Sequence, residues 1–404
     1  MWNHQGKDWE NNQEDRRMKK ALIVTTVSGF LPQFEMNNVR ILQQLGYEVH
    51  YAANYKMPAY GEDNRRLKGT EIKRHQIDFV RSPYEIKANI KAYQQLKALE
   101  ENIHFDLIHC HTPMGGMLAR LCSKKYRKDG TKVIYTAHGF HFYEGASLKN
   151  WLLYYPVEKL CSRWTDVLIT INREDYDLAK KKMHTKTVEY VRGVGIDTEK
   201  FGKGKKEENR ECIRAELGIP KEAVLLLSVG ELNKNKNHET VIRAVAKLPE
   251  IKEDKVYYAI AGKGELEEWL RKLIRNLGLE SQVFLLGFRE DMAVLYHAAD
   301  IFLFPSKREG LSVALMEAMA SGLPCIASKI RGNIDLLEDG KGGYLCQEDD
   351  IKGFAQKIEV LVKNMKVKEK FGYYNQEKIK KFNLYAVNEK MRKIYEIQGE
   401  WSLG

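Results

Sequence analysis

Apolar and β-favouring residues along the chain come in short runs separated by longer mixed stretches. In the first half the runs fall at 20–25, 47–52, 106–111, 131–136 and 166–170; in the second, at 223–230, 255–261, 282–286 and 301–304. Continuous β-rich runs of this kind mark strands covered on both faces, as in a parallel sheet. The intervening stretches read as helices over 38–46, 85–102, 115–125, 239–248, 265–277 and 291–299, with another beginning near Arg173 and a last one over about 382–398. Strand–helix alternation repeated in two halves predicts an α/β protein with two Rossmann-like domains. The first loop carries Gly29, which suits close backbone approach, but no G-x-G-x-x-G, so a dinucleotide site is not expected there.

Composition shifts place the boundaries. Residues 1–17, MWNHQGKDWENNQEDRR, are polar and charged and lack the apolar core of a signal peptide, so they are expected to form a disordered leader. The first domain is then 18–201. Residues 202–209, GKGKKEEN, contain no apolar residue and read as a linker. A second domain is expected over 210–381, followed by a C-terminal helix in 382–404.

The most informative stretch runs from Asp300 to Pro324, DIFLFPSKREGLSVALMEAMASGLP, with Ala299 before it. A buried strand ends at Pro305, a polar loop covers 306–310, and a helix rich in small residues runs from about 312 to 321 before Gly322 and Pro324 stop it. Glu309 and Glu317 are separated by roughly 12 Å along a helix axis, a spacing for two grips on one extended ligand rather than for one metal ion. Between them the N–H groups of Gly310, Leu311 and Ser312 face out of a helix start at the carboxyl end of a strand, a setting that favours a phosphate. Glu317 is flanked by Leu315, Met316, Ala318 and Met319, a poor neighbourhood for an ordinary solvated glutamate.

Glu309, seven residues and Glu317, within FPSKREGLSVALMEAMASGLPCIAS, resemble the E-x7-E signature of retaining glycosyltransferases of the GT-B fold, family 4. The resemblance extends over roughly 18–398. It implies two Rossmann-like domains facing a cleft, with the donor held mainly by the second domain, the acceptor by the first, and the C-terminal helix of 382–404 returning to the first domain. It further implies that Glu309 contacts the hydroxyls of the donor sugar and Glu317 the nucleotide ribose. His138, which follows the 131–136 strand in TAHGFHF, would stand beside the sugar, with Gly29 near the donor. Lys236 would neutralise the diphosphate, backbone groups around Phe288 and Arg289 would meet the base, and Gly262 and Gly264 would line the same rim. One position departs from the pattern: Glu231 stands where the family commonly has an Arg. Either Glu231 orients Lys236 and other basic groups, or a second cation enters from elsewhere, with Arg308 the candidate. No cofactor and no metal are implied for this transfer.

Charge and the remaining motifs narrow the partners. The formal charge is +11, with 32 basic against 24 acidic residues in 1–200 and 34 against 31 in the remainder. Without a zinc finger, helix-turn-helix or RNP-like motif, this basic surface does not point to nucleic acid. An anionic membrane surface fits it better, although no apolar run is long enough to span a bilayer. Six cysteines without C-x-x-C spacing are expected as buried free thiols of a reducing cytoplasm. His109 and His111 have no matching third ligand in sequence, so a metal is not expected there. Asp175-Tyr176-Asp177 opens a helix, where acids suit the positive end of the dipole. TAHGFHF and GELNKNKNH resemble family members of bacterial capsule or exopolysaccharide assembly that act on polyprenyl-diphosphate-linked sugars. The substrates implied are thus a nucleotide sugar, expected to be UDP-linked, and a lipid-linked or oligosaccharide acceptor, at the inner face of the cell membrane. Two rivals are a GT-B nucleotide-sugar 2-epimerase and a non-catalytic binding module.

Overall fold

The computed structural model describes residues 17–59 and 64–400, so the leader expected over 1–17 lies almost wholly outside it. Arg17, its last residue, pairs with Asp106 at 2.7 Å. Two parallel sheets form the protein. The first contains β1 (Lys20–Val27), β2 (Glu48–Asn54), β3 (Lys73–Gln76), β4 (Leu107–His111), β5 (Lys132–Ala137), β6 (Val167–Thr170) and β7 (Thr187–Tyr190), in the order β3-β2-β1-β4-β5-β6-β7. The second contains β8 (Val224–Val229), β9 (Val256–Ala261), β10 (Val283–Gly287), β11 (Ile301–Phe304), β12 (Cys325–Ser328) and β13 (Gly343–Cys346), in the order β10-β9-β8-β11-β12-β13.

The nine runs correspond to β1, β2, β4, β5, β6, β8, β9, β10 and β11, and all but the edge strand β10 bury their central residues. β3 has no such run: its sequence is KRHQ, it lies at the sheet edge, and its pairing with β2 rather than burial makes it a strand. Each sheet is covered on both faces. In the first, Val39, Ile41 and Leu42 pack on one face with Met391 and Tyr395 of the C-terminal helix, while Ala92, Leu96, Leu118 and Ala119 cover the other.

The chain crosses between domains twice, and the crossings are hydrogen-bonded to each other: Ile196 N–H donates to the Phe382 carbonyl and Leu384 N–H to the Ile196 carbonyl, both at 2.9 Å. The terminal helix, Leu384–Glu400, buries Val387, Met391, Ile394 and Tyr395 against the first domain. The stretch read as a linker, 202–209, is less irregular than its composition suggests. A helix starts at Lys206 and runs to Leu217, and Lys206 Nζ donates to the Ser321 carbonyl at 2.8 Å. Five cysteines are buried as expected, but Cys212 on that helix is exposed. No helix among the described residues is long and apolar enough to cross a membrane.

Candidate functional site

In each sheet the strand order reverses at one point, between β1 and β4 in the first and between β8 and β11 in the second. Ligands of open α/β sheets bind outside the carboxyl ends of strands at such points. Here the two points face one another. A Cβ built on Gly310 would lie 1.8 Å from the His138 carbonyl oxygen, so the loops after β5 and β11 touch across the crevice only because residue 310 is glycine. Beside this contact the guanidinium of Arg331, buried, bonds to Asp175 and to the Phe140 carbonyl. The Asp175 carboxylate also accepts from Phe140 N–H at 3.0 Å, and its backbone N–H donates to Asn172 Oδ1, the cap of its helix, at 2.8 Å. The D-x-D spelling is therefore a helix start and an inter-domain latch.

On the second-domain side, the loop after β8 and the loop after β11 are knitted together. Asn235 Nδ2 donates to the Arg308 carbonyl at 3.0 Å, and Lys307 N–H donates to the Asn235 carbonyl at 2.8 Å. Asn237, in the left-handed region with φ 55°, donates to the Pro305 carbonyl at 3.2 Å. This frame places Lys236 Nζ 2.7 Å from Glu309 Oε1 and 4.8 Å from the centre of the Phe304 ring. Ser312 caps the helix Val313–Ala320 by accepting from Leu315 N–H. Within the described residues, the N–H groups of Gly310, Leu311 and Ser312 donate to no protein group. An ammonium, a carboxylate and open backbone donors thus converge where the helix begins, an arrangement that suits a diphosphate carrying a hydroxylated group.

Glu317 lies two turns further on, half-buried, accepting from the Tyr296 hydroxyl at 3.0 Å. Burial pushes its carboxyl up to about 7, against the hydrogen bond from Tyr296 and the charge of Lys200. Lys200 sits on the short helix Thr198–Gly202 just after the crossover, so Glu317 faces the junction of the domains.

Other expected donor residues have different surroundings. Glu231 is exposed, and the partner of Lys236 is Glu309, so Glu231 does not orient that lysine. Arg308 is exposed and has no ion pair among the described residues; burial, with the charges of Arg308 and Arg331 adding to it, pushes His141 down to about 4. Arg289 is engaged by Glu216 and Asp291 at 2.5 and 2.6 Å, and Phe288 beside it is 53% exposed. Gly262 and Gly264 serve backbone packing: a Cβ on them would meet the carbonyls of Gly230 at 1.9 Å and Leu232 at 2.4 Å. Gly29 does the same against Pro58 and Ala59, and its N–H donates to the Pro58 carbonyl at 2.7 Å.

On the first-domain side the structure shows a group that sequence reasoning missed. Residues Leu31–Glu35 form a π-helical turn that buries Glu35. Its carboxyl stands 3.6 Å from His111 Nδ1 and 3.7 Å from His138 Nε2, and those two nitrogens are 3.1 Å apart. The expectation that His111 lacks further ligand-type neighbours is therefore corrected: the chain supplies two, from separate elements. Burial pushes Glu35 up to about 8 and His138 down to about 4. His109 belongs to the core instead, bonded to the Tyr395 hydroxyl and to Thr136, both at 2.8 Å. The only hint of Glu35 in sequence is an acid between Phe34 and Met36 in the first loop.

Two facing Rossmann-like domains with a crossing terminal helix and a cleft between switch points define the GT-B fold. Solved structures with this architecture include Anabaena Alr3699/HepE in complex with UDP-glucose, at TM-score 0.76 and 19% identity over 93% of this chain and 99% of that one. WaaG, described as a glycosyltransferase involved in lipopolysaccharide biosynthesis, superposes at TM-score 0.71 with 18% identity over 93% and 98%. Residues 21–172 match the family model Glycosyl transferase 4-like, and residues 209–378 match Glycosyl transferases group 1. The chain is 37% identical to the putative glycosyltransferase EpsD of Bacillus subtilis (strain 168) over 93% of its own length and 96% of that protein's. It is 30% identical, over 68% and 70%, to an Escherichia coli UDP-Gal:alpha-D-GlcNAc-diphosphoundecaprenol alpha-1,3-galactosyltransferase. The chain belongs to this glycosyltransferase family.

Proposed function

We propose that the protein transfers a hexosyl or N-acetylhexosaminyl group, with retention of configuration, from a UDP-linked sugar to a polyprenyl-diphosphate-linked sugar in capsule or exopolysaccharide assembly. The observation that carries this reading is the Lys236–Glu309 pair at the start of the Val313–Ala320 helix. A diphosphate entering there takes the ammonium and the open N–H groups, and the released Glu309 carboxylate accepts from sugar hydroxyls. Glu317 accepts from the ribose, and His138 holds the sugar from the first domain. The bond from the anomeric carbon to the diphosphate breaks, and positive charge builds on the sugar. The acceptor hydroxyl adds on the same face, and its proton passes to the departing phosphate. Stabilising that phosphate and orienting the hydroxyl are the main contributions of the protein, with no metal at the diphosphate. The UDP-glucose complex of the similar fold and the UDP-galactose and diphosphoundecaprenol named for the relative support these substrate classes.

Lipid-linked acceptors require the first domain to reach a membrane surface. Leu148 and Leu152, on the helix Leu148–Ser162, are 81% and 77% exposed beside Lys149. Ile86 and Ile90 with Lys87 and Lys91 repeat the combination on Ile86–Asn102. Apolar and cationic side chains on one helical layer suit an anionic bilayer. The test is a panel of nucleotide sugars scored by thermal protection, followed by transfer to a synthetic lipid-linked sugar. Protection by no UDP-sugar, or conversion of donor to an epimer without acceptor, would overturn the proposal. Flotation with phosphatidylglycerol vesicles checks the membrane face, and its absence at low salt would remove it.

A further inference from the structure

We propose that Glu35, His111 and His138 form a binding site for a divalent cation of the zinc class, on the acceptor side of the crevice. The three groups come from three separate elements: the π-helical turn after β1, the end of β4 and the residue after β5. Two imidazoles and one carboxylate are a common zinc ligand set with an open position. At zinc–ligand bonds of about 2.1 Å, donors on a tetrahedron stand about 3.4 Å apart. Here the separations between Glu35 Oε1, His111 Nδ1 and His138 Nε2 are 3.1, 3.6 and 3.7 Å.

A hydrogen bond between the two rings accounts for the shortest of these separations and for nothing else. It leaves Glu35 Oε1, on a side chain only 3% exposed, too far from either nitrogen for a hydrogen bond. Glu35 Oε2 is already occupied by Asn38 Nδ2 at 2.5 Å, which holds the carboxylate in this orientation. One cation in the place of the ring–ring hydrogen bond would take Oε1 and both nitrogens together. A cavity of about 20 Å³, lined by Glu35, His138, Thr136 and Asn38, adjoins the cluster. It has room for one water-sized occupant, so the fourth position would hold a water or a hydroxyl of the bound acceptor.

With Nε2 of His138 committed to the cation, its Nδ1 is the nitrogen left to donate to a sugar. Metal-bound imidazoles commonly use the second nitrogen in this way. The site would then set the tautomer and orientation of the histidine assigned to the donor. It is separate from the diphosphate, where Lys236 and backbone donors act. Among the described residues His111 Nε2 is buried without a partner, and the lack of that outer support lowers the expected affinity.

The experiment uses the full chain, prepared without a histidine tag, stripped with chelator and dialysed against buffered Zn²⁺ or Co²⁺. Expected are about one equivalent of bound metal and, for Co²⁺, the visible absorption of a four-coordinate site. Glu35→Gln and His111→Ala should each weaken binding by at least about tenfold. No stoichiometric uptake by the wild-type chain would overturn the proposal whatever the variants do. So would uptake unchanged in a folded Glu35→Gln/His111→Ala double variant, with folding checked by circular dichroism. Because the readout involves no sugar, its failure is distinguishable from failure of the transferase reading.

Discussion

The two domains share a plan but build their edges of the crevice from different materials. The second domain presents backbone donors and one ammonium–carboxylate pair from two loops that also hold each other, with close-packed glycines in the loop after β9. The first presents buried titratable side chains, Glu35, His111 and His138, gathered from three elements more than a hundred residues apart at the extremes. A site of backbone groups costs little to preorganise and suits a fixed, repeated ligand such as a diphosphate. A site of side chains can be altered one residue at a time.

That contrast can be broken at the second domain first. Lys236→Ala and Glu309→Ala should each lower transfer by about 10²–10³, the range for loss of one electrostatic contact to developing charge. Single-turnover transfer with melting as a folding control reads this, and undiminished transfer from either variant removes the mechanism. The junction comes next. Removing one partner of a buried ion pair costs about 3–5 kcal/mol, so Arg331→Ala should lower the denaturation midpoint markedly, as should Asp175→Ala. Gly310→Ala, whose new methyl meets the His138 carbonyl, should hold the domains apart and depress transfer while each domain stays folded by circular dichroism.

A smaller effect separates the two acids of the signature. An unfolded glutamate loses its proton near 4.5, whereas Glu317 in the fold keeps it to about 7. Between those values the folded state binds more protons, so stability is fully present below about 4.5 and declines as pH rises towards about 7. Glu317→Gln should flatten that part of the stability profile, measured by urea melts across the window; an unchanged slope would place the titration elsewhere. The smallest effect is expected from Tyr395→Phe, which removes the hydrogen bond to His109 and should cost about 1 kcal/mol without changing the fold. A larger loss, with the terminal helix released to proteolysis, would show that this bond holds the two crossings together.

What could be read before the fold was known divides along the same line. The nine apolar strands, the helix after Pro305 and the E-x7-E pair are local patterns, set by burial on both faces of a sheet and by helix stop signals. Lys236 was legible for the same reason, since it lies in one short loop. β3 was not, because an edge strand of KRHQ buries almost nothing and is made by its neighbour. Nor was the helix beginning inside 202–209, whose charged residues mimic a linker until Lys206 finds the Ser321 carbonyl.

Sequence by itself determined the two-domain α/β architecture, the helix after Pro305 and the family, because each rests on residues near one another along the chain. Tertiary structure alone decided that Glu309 rather than Glu231 takes Lys236, that Asp175 latches the domains, and that Glu35 meets two histidines. Those pairings depend on where loops from different strands converge, and a side chain's partner across a crevice leaves no periodic trace in the chain that carries it.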